Sequence, residues 1–143
     1  MSALELLGPL ISLTAGYKEC QYKQVRIWVD NQASVCIWKK GYSTSCPLSS
    51  TIVKAMAVIA GGLGCRIDVE KITRCSNDGS EMADSLSKGA FMRFHAQAKQ
   101  AGWDIPLEMA WVPTALKAWI SNPLPDDFLG QRILSELSLY TPV

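Results

Sequence analysis

Three acidic residues, Glu5, Asp30 and Asp84, stand far apart in the chain, each beside a segment that could carry it to a common edge. Asp30 closes the run Val25-Arg26-Ile27-Trp28-Val29, which has strand-forming character. Ala33, Val35, Ile37 and Trp38 then follow at helix-compatible spacing. Ligands of open α/β sheets bind at the carboxyl ends of strands, so a carboxylate at such a turn is placed for chemistry. Asp is also a good N-cap, and from this stretch alone capping is the commoner role. Glu5 and Asp84 carry the same ambiguity. Ser2 with Glu5 three residues on has the form of a capping box, and Asp84 falls in the first turn of a helix expected over 81–94, where the helix dipole favours a negative charge.

If the three acids meet, their mutual repulsion raises at least one pKa unless a cation neutralises them. A hard, oxygen-seeking ion such as Mg²⁺, or Mn²⁺ in its place, is the natural partner. Two such ions about 4 Å apart would organise in-line attack of water on a phosphodiester.

The elements that must position these acids fit a single domain of 143 residues. Hydrophobic residues at 48% against 19% charged exclude a disordered chain. A net charge of +1 argues against a strongly cationic nucleic-acid binder and leaves room for a local patch. No apolar run reaches the ~18 residues of a membrane span, and no leader pattern is seen at Met1. A cytoplasmic or nuclear protein is expected. Five cysteines without a CxxC pair, and a single histidine, His95, set zinc aside in favour of reduced thiols.

Along the chain, Leu4, Leu7 and Ile11 suggest a leading helix that Pro9 should interrupt or kink. Residues 17–20 read as a turn into the first strand. A short helix over 31–39 leads to a loop with Gly41, Ser43, Thr44, Ser45 and Pro47. Ser49 or Ser50 is expected to cap the next helix, where Ile52, Met56, Ile59 and Leu63 form an amphipathic stripe. Gly61, Gly62 and Gly64 close that helix and have no phosphate-loop spacing. A second strand over 65–72 makes a crossover unit with parallel strands. From residue 97 on, the chain turns rich in proline and tryptophan, with short helices expected over 114–120 and 126–137. Asp126 and Asp127 point in different directions on a helix and read as caps. Trp103, Trp111 and Trp119 recur at a spacing that fits no single face, and burial in the tail is their expected role.

Three motifs in order carry a resemblance: Asp30-Asn31-Gln32-Ala33, then Lys40-Gly41-Tyr42-Ser43, then Ala83-Asp84-Ser85-Leu86-Ser87-Lys88. Together they resemble the ribonuclease H-like domain of retroelement reverse transcriptases, above all those of DIRS-type retrotransposons. The likeness spans roughly residues 2 to 95. It implies an α/β, ribonuclease H-like fold with parallel strands and flanking helices. It also implies that Glu5, Asp30 and Asp84 are both catalytic residues and ligands of Mg²⁺ or Mn²⁺. The family's first aspartate, on the opening strand of an antiparallel meander, has no counterpart here. The chain is therefore expected to be part of a longer polyprotein or a derived form lacking those strands. The histidine many members place before the last aspartate is also missing, Arg74 being nearest, and Ser80 stands where an asparagine is usual.

The division expected is a ribonuclease H-like domain over 1–96, N-terminally incomplete, and a Pro/Trp-rich tail over 97–143. Lys39, Lys40, Tyr42 and Arg74 are the expected contacts to an RNA–DNA hybrid or other nucleic acid, although Lys39 and Lys40 read equally as a solvated pair. With three of four ligands, weak or no cleavage is expected. The alternative is a non-catalytic interaction module on the same fold, and a gene fragment without independent function also stands open. Two parallel strands alone make a poor sheet that needs cover on both faces, so the strand over 25–29 should pair with another segment or aggregate.

Overall fold

The structure, a computed structural model, describes residues 2–72, 91–102 and 111–138. The chain forms two compact units, residues 1–70 with 110–143, and residues 71–109. In the first unit, helix α1 (Ser2–Ala15) and the single-turn α2 (Tyr17–Cys20) lead to strand β1 (Gln24–Val29). Helices α3 (Gln32–Lys40) and α4 (Pro47–Leu63) cross over to strand β2 (Arg66–Lys71). Of the 71–109 unit, helix α5 (Phe91–Gln100) is described. Helices α6 (Thr114–Ser121) and α7 (Leu129–Leu134) return to the first unit. The class is α/β, with β1 and β2 side by side and parallel.

Helix α1 runs unbroken through Pro9, contrary to the expected interruption. Leu6, Leu10 and Leu13 explain it, each at most 2% exposed against the core. Three such burials at about 1.5–3 kcal/mol each outweigh the roughly 3 kcal/mol that an interior proline costs. Residues 17–20, expected as a turn, close one helical turn instead. The stripe Ile52, Met56, Ile59 and Leu63 is fully buried, as its spacing requires. Helix α4 packs against both α1 and α7.

Helix α4 starts earlier than Ser49, with Cys46 as N-cap and Pro47 in the first helical position. Proline's fixed φ suits that position, and its missing N–H is one no helix could satisfy there. Ser50 faces back to the loop instead, donating to Ser43 O and accepting from Ser43 N. Gly64, with φ 66°, ends the helix as its C-cap.

The sheet corrects the expectation that both faces need cover. Val25, Ile27 and Val29 of β1 and Ile67 and Val69 of β2 turn inward, while Gln24, Arg26, Trp28, Arg66 and Glu70 are exposed. Alternation of this kind lets one face meet water. On that face Gln24 Nε2 donates to Asp68 Oδ2 at 2.9 Å, and Arg26 pairs with Glu70 at 3.7 Å. At the mouth of the crossover Tyr22 N donates to Leu63 O and Arg66 N to Lys23 O, both at 3.0 Å. Tyr22 itself is left-handed, with φ 62°, and its ring covers Gly64.

The segment after residue 110 contributes to this core. Leu116, Trp119, Leu129, Ile133 and Leu137 are buried in it. Gly130 brings α7 against Ala55 of α4. Trp119 is buried as expected and donates through Nε1 to Leu124 O at 2.7 Å, whereas Trp111 stays half-exposed beside Tyr17. Asp126 accepts from Phe128 N at 2.9 Å and pairs with Arg132, while Asp127 reaches Lys54 at 3.1 Å. The two acids part ways, as their adjacency demands.

Candidate functional site

The exit of β1 is where the candidate site begins. Val29 is the last inward residue of the strand, and Asp30 follows, exposed, before α3. The cap of α3 is Asn31 and not Asp30. Its backbone is extended, and its side chain accepts from Ser34 N at 3.1 Å. Of two adjacent capping residues only the one directly ahead of the first turn reaches its N–H groups. The commoner role for Asp30 is therefore filled by its neighbour.

Glu5 arrives from α1. Ser34, fully buried in the first turn of α3, donates from Oγ to Glu5 Oε2 at 3.5 Å. That is a long, weak hydrogen bond, and its value is positional. It sets the acid of the leading helix against the first turn of α3, the helix that Asp30 precedes.

Asp84 and Arg74 lie outside the described residues, so their place relative to this edge is not described. Among the described residues no three of His, Cys, Asp and Glu converge as a metal site. Glu5 and Asp30 are oxygen donors, the kind a hard divalent cation takes.

Lys39, Lys40 and Tyr42 stand at the other end of α3, where Gly41 (φ 85°) closes the helix. All three are exposed, and Lys40 Nζ lies 5.2 Å from the centre of the Tyr42 ring. Nine residues of helix, at about 1.5 Å each, put this cationic end roughly 13 Å from the acids. The two lysines also complement the negative end of the helix dipole.

The outer face of the sheet holds one further surface feature. Trp28 is 50% exposed, with the Arg26 guanidinium 5.7 Å from its ring. Among the described residues no helix is long and apolar enough to cross a membrane. Comparison with models of known protein families, with characterised proteins and with solved structures gave no match for this chain.

Proposed function

We propose that this chain is a ribonuclease H-like domain of retroelement origin, acting on the RNA strand of RNA–DNA hybrids. The observation that carries the reading is the Ser34–Glu5 contact, which sets Glu5 against the first turn of α3, the helix that Asp30 precedes. Support comes also from the parallel β1–β2 pair joined by a helical crossover, the arrangement that places catalytic groups at the carboxyl edge of a sheet. Glu5, Asp30 and Asp84 would hold Mg²⁺ or Mn²⁺. When bound, such ions supply activated water and neutralise charge at the leaving oxygen. Lys39, Lys40 and Tyr42 would receive the hybrid's phosphates, and Arg74 is assigned to the same role. Recognition through backbone and 2′-hydroxyl groups suits a wide minor groove, and the rest of a reverse transcriptase polyprotein is the natural companion.

The test is cleavage of a labelled RNA–DNA hybrid in Mg²⁺ and in Mn²⁺. Weak activity abolished by Asp30→Asn supports the enzyme, and activity indifferent to that change removes it. A second reading, a non-catalytic interaction module, is favoured by the half-exposed Trp28 under Arg26 on the polar sheet face. Hybrid binding that survives Asp30→Asn but falls with Trp28→Ala would select it.

A further inference from the structure

The two strands of the sheet are not equally finished. Among the described residues β1 has β2 on one side and no strand on the other. The Lys23 carbonyl accepts the Arg66 N–H, so it points toward β2. Across a trans peptide the Gln24 N–H points the opposite way, and along an extended strand the N–H and C=O of every second residue follow it. The backbone groups of Gln24, Arg26 and Trp28 therefore face the open side. Such edges are commonly guarded by lysine, proline or a bulge. Strand β1, Gln-Val-Arg-Ile-Trp-Val, has one charge and no proline, whereas four of the six residues of β2 are charged. The core side shows the same imbalance: Ile67 and Val69 of β2 are buried, but Val25 and Ile27 of β1 are only half-buried. An apolar flank beside unpaired backbone is what one more strand would cover.

We infer that this strand is β1 of a second copy of the chain, laid antiparallel about a twofold axis at Ile27. In that register β1 is complementary to itself. Arg26 of each copy stands opposite Trp28 of the other, Val25 opposite Val29, and Ile27 opposite Ile27. Arg26 already lies 5.7 Å from the Trp28 ring of its own chain, and a directly opposed residue brings a second ring within similar reach. Arg26 and Trp28 make the hydrogen-bonded pairs, since their backbone groups face the edge. Ile27 meets its copy at a non-hydrogen-bonded position, where side chains come closest. Neighbouring registers do worse. A two-residue shift one way sets Arg26 against Arg26, a like-charge pair, and the other way leaves only residues 27–29 of the strand in the ladder. The axis is perpendicular to the sheet, so both core sides fall on one face and cover Val25 and Ile27 there. The same patch serves both copies, and assembly closes at two. The exits of β1 point to opposite ends of the ladder, so pairing stands apart from any chemistry at Asp30.

Sedimentation equilibrium of the full chain over about 1–100 µM, the range suited to an interface of small area, tests this. The chain should pass from monomer to dimer and stop there. Trp28→Lys, a change at an exposed site that sets a cation against Arg26 on both sides of the axis, should raise the dissociation constant by about tenfold or more. Leu124→Lys, at an exposed apolar residue outside the sheet, should leave it unchanged. In the unsubstituted chain the Arg26 and Trp28 amides should exchange more slowly with solvent as the dimer forms. A chain that stays monomeric throughout, whether or not those amides are protected, would overturn the pairing. So would growth beyond the dimer, equal effects of Trp28→Lys and Leu124→Lys, or Arg26 and Trp28 exchange that ignores concentration. The exchange measurement decides even if Trp28→Lys does not fold.

Discussion

Glu136 caps Thr114 from across the fold: its carboxylate accepts from Thr114 N at 2.8 Å and from Ala115 N at 2.9 Å. Helix α6 has Pro113 in the N-cap position, which offers no side-chain acceptor of its own. Glu136, 22 positions after Thr114, therefore fills that role. The Ala115 N–H does most to hold the Glu136 carboxyl below its usual range; burial opposes it, and the Thr114 N–H and side chain add to the lowering.

Glu136→Gln should thus destabilise the protein by about 0.5–1 kcal/mol, the low end for a lost cap because the site is partly exposed. The stabilisation belongs to the ionised form. With the folded pKa below the unfolded one, it is complete above the ordinary glutamate value of about 4.3 and fades as the pH falls below it. Denaturant melts of the two chains from pH 7 to pH 3 should converge on acidification. A gap that stays constant would show that the cap does not depend on charge.

Gly130 and Gly61 predict opposite responses to the same substitution. A Cβ on Gly130 would lie 2.8 Å from Val58 Cβ and 2.9 Å from Ala55 Cα, so α7 must move off α4. Gly130→Ala should cost about 1–3 kcal/mol despite the better helix propensity of alanine. Gly61, within α4, has nothing within 4 Å of such a Cβ. Gly61→Ala should stabilise by about 0.5–1 kcal/mol. Thermal melts of the pair in parallel read both signs.

Asn31→Ala removes the cap of α3 and should cost about 1 kcal/mol, a fall in Tm of about 2–4 °C for a chain of this size. Because Asp30 is a neighbour and not the cap, Asp30→Asn should leave Tm within about 1 °C, in keeping with an exposed substitution. An equal drop for both would mean that the two residues share the turn.

Glu5→Gln and Asp30→Asn should each lower hybrid cleavage by tenfold or more, and the double variant should lose little beyond either single one. Residues that act as a unit are non-additive in this way. Additive losses in cleavage rate would place the two acids in separate roles.

Much of the frame is legible in residue spacing. Ile52, Met56, Ile59 and Leu63 announce the buried side of α4, and Val25 to Val29 announces β1. What spacing hides is competition between neighbours. Asp30 and Asn31 are both capping residues, and only the direction of the chain leaving β1 decides between them. Ser49, Ser50 and Cys46 pose the same choice at α4, where Pro47 decides it. The continuity of α1 through Pro9 depends on leucines that meet their partners only in the folded chain. Of the candidate site, Glu5 and Asp30 are visible as acids, but their relation passes through Ser34, a residue whose type alone advertises nothing. Asp84 and Arg74 lie outside the described residues.

The pairing of Tyr22 with Gly64 cinches the crossover at its throat. A left-handed tyrosine costs energy that its bond to Leu63 and its seat on a bare α-carbon must repay. Any side chain at 64 would lift the ring and loosen the point from which both strands take their count. A slip of one residue there would turn Val25, Ile27 and Val29 out to water and Arg26 and Trp28 into the core. This one tyrosine–glycine clasp therefore decides which side of the ribbon is wet.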